Sequence, residues 1–135
     1  MTVLVTGASG FVGSAVLREL ARSGRAARVL VHEQWPDVPQ GTEVVRGDVT
    51  DPRSLRGIGD GVDVVLHLAS YVGTDPERCA AVNERGTRHL LAEVSGVSGD
   101  HATLSTHQRL PSLNSWMLLI PRMNGSGSLR ECRAA

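Results

Sequence analysis

The sequence predicts an α/β fold, a doubly wound and mostly parallel sheet that breaks off after about the fifth strand. Three observations predict it. Short β-branched apolar runs alternate with helix-like segments in a βαββαβα order. A glycine-rich turn separates the first strand from the first helix. All 17 valines lie at or before Val97, and the last 38 residues hold none. Parallel neighbours require crossover helices, and apolar strands without a polar face suit a sheet covered on both sides.

Each element has its own signal. Thr2–Thr6 (TVLVT) is a short apolar run that stops at Gly7. Residues 11–23 carry Val12, Val16 and Leu20 at four-residue spacing, with Ala15 and Leu17 widening the stripe, and Gly24 ends the helix. Residues 28–32 (RVLVH) form the second strand and Glu43–Arg46 (EVVR) the third. Asp51-Pro52 opens a short helix, with Asp as the cap and Pro in the first turn. Residues 62–68 (VDVVLHL) are the fourth strand. A longer helix follows over about 76–93, with Ala80, Val82, Leu90 and Leu91 among its apolar positions.

Composition narrows the chemistry. The chain has 135 residues, 41% of them hydrophobic, which suits one domain and argues against disorder. Fourteen basic residues balance 14 acids, so bulk charge draws it to neither nucleic acid nor an anionic membrane. All fourteen are Arg. Without lysine, no Schiff base or other ε-amine chemistry is open to the chain. The N-terminus lacks the basic start of a signal peptide, and no apolar run reaches membrane-spanning length. Cys79 and Cys132 match no zinc spacing and read as reduced thiols of a cytoplasmic protein.

The chemistry-bearing segment is Thr6-Gly7-Ala8-Ser9-Gly10-Phe11-Val12-Gly13, between the first strand and the first helix. Gly7 allows the tight turn out of the strand. Gly10 lets the backbone approach a pyrophosphate, and Gly13 lets the helix pack closely on the sheet. Phosphates then meet free N–H groups at the helix N-terminus. The spacing is neither GxGxxG nor a P-loop, which needs a lysine this chain lacks.

This TGxxGFxG loop resembles that of the short-chain dehydrogenase/reductase superfamily, in its extended and atypical branches, the NAD-dependent epimerase/dehydratase group. Three later stretches carry the same resemblance in order: Gly47-Asp48-Val49-Thr50-Asp51, His67-Leu68-Ala69-Ser70, and Val82-Asn83-Glu84-Arg85-Gly86-Thr87. The resemblance implies a Rossmann-like domain that binds NAD or NADP. It implies that Gly7, Gly10 and Gly13 hold the pyrophosphate while Phe11 and Val12 offer loop backbone. Asp48 would reach the adenine amino group with Val49 beside it, and Leu68 and Ala69 would lie against the cofactor. Asn83 would steady the active-site backbone. From the residues alone, Asp48 also reads as a turn cap, and His67 as a packed core histidine.

The position that contacts the adenosine ribose, about 20 residues after the glycine loop, is His32, followed by Glu33. An acid there favours NAD and an arginine NADP; Glu33 tilts the reading toward NAD. Arg28, earlier in the strand, reads as a solvated side chain. Family members also use a Tyr as acid/base, a Lys four residues later that lowers its pKa, and a Ser or Thr on the fifth strand. Tyr71 stands too early and has Asp75 at that spacing, so it is not the catalytic tyrosine. Residues 101–106 are placed like the fifth strand, which makes Ser105 or Thr106 the candidate for the substrate-side hydroxyl.

The domain resemblance therefore covers 1–106, and 107–135 reads as an irregular or disordered tail with no family motif. Valine and family motifs end together near residue 97, as expected of a truncated or frame-shifted continuation. With five strands at most, the sheet is expected to expose an apolar edge or face, favouring a homo-oligomer or poor solubility. Three functions follow. One is the cofactor half of an epimerase/dehydratase-like oxidoreductase for nucleotide sugars or similar carbonyl and hydroxyl substrates, taking substrate only if its site is completed. The others are a non-catalytic dinucleotide module or redox sensor, and a remnant without activity.

Overall fold

A computed structural model of the chain describes residues 1–95 and 118–121. Thr2–Thr6 (β1), Ala26–Val31 (β2), Glu43–Arg46 (β3) and Val64–His67 (β4) pair in parallel, and Leu118–Pro121 (β5) pairs antiparallel with β4. The order across the sheet is β3-β2-β1-β4-β5. It is the expected doubly wound, Rossmann-like α/β architecture.

Strand pleating explains why the runs lack a polar face. Successive side chains point to opposite sides, so every strand serves two cores. Val3, Val5, Ala27, Val29 and Val31 pack on one side with Leu17 and Leu20 of α1 (Phe11–Arg22). Leu4, Leu30 and Val65 pack on the other with Val49, Leu55, Ile58 and Leu90. Leu4, Val5, Val29 and Leu90 are fully buried. Each such side chain contributes about 1.5–3 kcal/mol of transfer free energy.

Local chemistry ends the helices where the sequence places the stops. After α1, Gly24 adopts φ 65°, Gly24 N–H donates to the Ala21 carbonyl, and Arg25 N–H to that of Leu20. This pair of bonds closes the helix in the Schellman pattern, which needs the left-handed conformation glycine takes without strain. Asp51 accepts from Arg53 N–H at 3.0 Å and caps the segment Pro52–Leu55, which is a single 3₁₀ turn. Asp75 accepts from Glu77 and Arg78 N–H groups at 3.0 and 3.2 Å and caps α2 (Pro76–Cys79). The chain continues helically through a π-helical segment, Ala80–Gly86, into α3 (Thr87–Ser95).

Two expectations are corrected. Arg28 is not solvated: its side chain is 15% exposed and its Nε pairs with Glu43 at 2.8 Å. Its Nη1 donates to the Ile58 and Asp60 carbonyls at 2.8 and 2.7 Å. The guanidinium thus ties β2 to β3 and to the turn before β4, a use open only to a side chain with several donors in a fork. Nor is the tail irregular throughout: β4 has a partner strand along its outer edge. Leu118–Pro121 pairs along it, inside the stretch expected to be irregular, with Leu118 opposite His67 and Pro121 opposite Val64. Leu118–Pro121 finds in β4 the unpaired backbone edge that any exposed strand presents. The fifth strand expected over 101–106 lies outside the described residues.

Candidate functional site

The chain moves outward from β1 to β3 and then crosses to β4 on the other side of β1. In such sheets the crevice opens at the carboxyl ends of the strands where this reversal occurs. The expected cofactor residues follow those ends in turn: Gly7 to Gly13 after β1, His32 after β2, Asp48 and Val49 after β3, Leu68 and Ala69 after β4. One edge of the sheet therefore carries them all.

The three loop glycines have different reasons. Gly7 has φ 71°, and a Cβ there would lie 2.5 Å from Ala69 N and Leu68 C. It is glycine because β1 and β4 approach each other as they leave the sheet. A Cβ on Gly13 would collide with the Gly7 carbonyl oxygen and lie 2.6 Å from Ala8 Cα. Gly13 thus lets α1 seat on the loop's own backbone rather than on the sheet. Gly10 is different. Its φ of −76° and ψ of 169° are open to any residue, and a Cβ would approach only the Gly7 oxygen, at 3.3 Å. The fold needs glycine at 7 and 13 and barely at 10, which leaves Gly10 as a cradle wall that a side chain would fill.

Gly10 is also the N-cap of α1, and no side chain caps that helix. Its first-turn N–H groups are therefore free of intrahelical partners and face the dipole's positive end. Phe11 and Val12 turn outward, 93% and 44% exposed, and offer backbone rather than side chain. These features fit the pyrophosphate of a dinucleotide, which needs backbone donors, a positive dipole and no intervening Cβ.

After β3, Asp48 does two things. Its Oδ1 accepts from Thr50 N–H at 2.8 Å, the turn role, while its Oδ2 faces His32 Nε2 at 3.3 Å. The His32 side chain is 59% exposed. Val49, by contrast, points its side chain into the core beneath Gly86, so only its backbone borders the crevice. A pocket of about 470 Å³ adjoins the loop, lined by Ala8, Ser9, Ser14, Arg18 and the turn from Gln34 to Pro39. The sequence reading missed this pocket; Trp35, 64% exposed and following the ribose position, is the signal that could have found it.

Beyond β4, Asn83 holds the backbone of Tyr71. Its Oδ1 accepts from Tyr71 N–H at 2.7 Å and its Nδ2 donates to the Tyr71 carbonyl at 3.0 Å. Arg78 lies 5.3 Å over the Tyr71 ring. His67 is a core residue, 4% exposed, bonded to Thr6 Oγ1 and Thr87 Oγ1. Burial lowers its pKa from the ordinary 6.5 to about 4, because charge is poorly solvated there. Thr6 and Thr87 were also missed; a Thr ending an apolar strand must find a buried partner, and His67 is that partner. Ser105 and Thr106 lie outside the described residues. Among the described residues no cluster of His, Cys, Asp or Glu could hold a metal ion, and no helix is long and apolar enough to cross a membrane.

Fold and site together define a dinucleotide-binding α/β domain. Residues 3–108 match the model of the NAD dependent epimerase/dehydratase family, and the chain belongs to that family. It is 36% identical over 122 residues to a ceramide reductase of Caulobacter vibrioides, covering 84% of this chain and 38% of that protein. A short-chain dehydrogenase/reductase superfamily protein from Agrobacterium tumefaciens, solved with bound NAD, matches with TM-score 0.58 and 37% identity over 70% of this chain and 29% of the other. UDP-glucose 4-epimerase of Thermus thermophilus, complexed with NAD, matches with TM-score 0.61 and 29% identity over 69% of this chain and 33% of the other. The chain thus spans less than two fifths of the length of each.

Two predictions follow from this geometry. Gly10→Ala should leave urea stability within about 1 kcal/mol of the parent while weakening dinucleotide binding at least about tenfold. Gly13→Ala, meeting backbone on two sides, should destabilise by several times more. Equal stability losses at both positions would contradict the cradle. For His67, the unfolded chain takes up a proton near pH 6.5 and the folded chain only near pH 4. Stability is therefore held above pH 6.5 and lost as pH falls toward 4. Urea titrations should show a loss on the order of 2 kcal/mol between about pH 7 and pH 5, with His67→Gln removing it. A slope unchanged in that variant would reject the assignment.

Proposed function

We propose that the chain is the cofactor-binding part of an NAD(P)-dependent oxidoreductase, with residues 1–106 as its cofactor domain. Gly10 carries the reading: its glycine answers to space above the loop and hardly to the fold. Gly7, Gly10 and Gly13 shape the cradle, Phe11 and Val12 supply backbone donors, His32 and Asp48 border the adenosine, and Leu68 and Ala69 line the nicotinamide side. When bound, the dinucleotide supplies hydride transfer. The chain's own part is to bind and orient.

NAD is favoured slightly over NADP. Glu33 follows His32 in the chain and Asp48 faces its ring, and their carboxylates would repel a 2′-phosphate; Asp37 and Arg18 both line the neighbouring pocket. For substrate, the likeness to a ceramide reductase is broader and higher in identity than that to UDP-glucose 4-epimerase. That supports a carbonyl or hydroxyl group on a lipid-like molecule ahead of a nucleotide sugar. A cytoplasmic setting without nucleic-acid or membrane partners belongs to the same reading, supported by zero net charge and the free thiol of Cys79.

The absence of lysine from the sequence favours a second reading, a module that binds dinucleotide without turnover. Tyr71 does not replace the missing pair, since Asp75, at the lysine's spacing, is engaged in capping α2. Calorimetric titration with NADH and with NADPH tests both readings. Binding of NADH in the micromolar range, tighter than NADPH, and no turnover of lipid ketones or nucleotide sugars is the expected outcome. No heat with either cofactor at millimolar concentration would overturn both.

A further inference from the structure

Thr6, His67, Thr87 and Asn83 form one buried chain of hydrogen bonds from the carboxyl ends of β1 and β4 to the π-helical segment. Its direction follows from counting donors. Thr6 Oγ1 accepts the N–H groups of Leu68 and Ala69, each at 3.2 Å, which leaves its single proton for His67 Nδ1 at 2.6 Å. At the other end, Thr87 Oγ1 stands 2.8 Å from the Asn83 carbonyl, which can only accept. Thr87 therefore donates there and receives from His67 Nε2 at 2.9 Å. Only one arrangement satisfies every partner: a neutral ring with its proton on Nε2.

The chain ends at the crevice on both sides. Leu68 and Ala69, held by Thr6, are the backbone against which Gly7 packs. Gly7 in turn accepts from Gly10 N–H at 3.1 Å and so sets the cradle. At the far end, Asn83 holds the Tyr71 backbone through both amide atoms. π-Helical turns expose backbone groups that ordinary helical pairing would use, and they recur at functional sites.

Resting on the dinucleotide reading above, we infer that His67 is a positioning residue: in its Nε2–H form it couples the glycine loop, through Thr6 and Thr87, to the π-helical segment that carries Asn83. It touches no cofactor itself. The imidazole has an acceptor on one side and a donor on the other, so it joins two hydroxyls that could not meet directly. Removing the Thr6 hydroxyl takes the acceptor from Ala69 N–H, while Leu68 N–H keeps the Thr6 carbonyl; removing that of Thr87 takes the donor from the Asn83 carbonyl and loosens the turn that aims Asn83 at Tyr71.

The experiment uses the 135-residue chain with NADH as the probe, read by fluorescence titration alongside circular dichroism. Thr87→Val should keep its helical signal and bind NADH about five- to tenfold more weakly, the span of one lost hydrogen bond. Thr87→Ser, which restores the hydroxyl, should return affinity to within about twofold of the parent. ¹⁵N NMR of the parent's imidazole rings at neutral pH supplies a measurement that no variant's folding affects: His67 should carry its proton on Nε2. An Nδ1–H ring, undiminished affinity in Thr87→Val, or failure of the serine to rescue would each overturn the coupling. Parent protein that binds no NADH at all would instead sink the dinucleotide reading, and the coupling with it.

Discussion

The structure depends on how closely β1 and β4 leave the sheet together. Gly7 has no room for a Cβ against the Leu68–Ala69 backbone, and the Thr6 hydroxyl fastens the same two N–H groups. Parallel strands diverge with the sheet's twist, so holding their ends this near requires a residue without a side chain and a local acceptor between them. Once that approach is made, the loop must turn sharply over it, and α1 can begin only if Gly13 seats on the Gly7 carbonyl. The free N–H groups of the first helical turn then face the crevice because nothing else can occupy that space.

Much of this was legible because it rests on local rules. Val3 and Val5 against Leu4, and Val29 and Val31 against Leu30, tell of a sheet packed on both faces from the runs alone. Gly24 as a helix stop and Asp51 as a cap were equally readable, since each acts within a few residues of itself. Three of the four family motifs fall just beyond the carboxyl ends of β1, β3 and β4, and the fourth in the helical segment after β4. What the sequence concealed lies in contacts between distant segments. Arg28 meets carbonyls some thirty positions later, at Ile58 and Asp60, and no periodicity forecasts that. Gly13's true neighbour is its own loop. The pocket beside Arg18 is walled by an irregular turn, and the pairing of Leu118–Pro121 with β4 joins segments with no shared pattern.

Membership of the NAD dependent epimerase/dehydratase family accords with this physical picture, and the glycine loop explains why. Two of its glycines, Gly7 and Gly13, are required by close backbone contacts, and Gly10 is not. A buried histidine is ordinarily inert packing, yet the two nitrogens of His67 have opposite roles, and those roles connect both walls of the crevice. The fold's marginal places, a helix with π pairing and a loop without capping side chains, coincide with the site.

The central claim is that the crevice beyond β1 and β4 takes a dinucleotide through the backbone of residues 10–13. Amide ¹H–¹⁵N shift mapping during NADH titration tests it most directly. The amides of Gly10, Phe11, Val12 and Gly13 should move most, Leu68 and Ala69 should follow, and Gly24 and Gly61, at turns leading into β2 and β4, should stay still. Loop amides unmoved at saturating NADH, or shifts centred on any other edge of the sheet, would contradict the account.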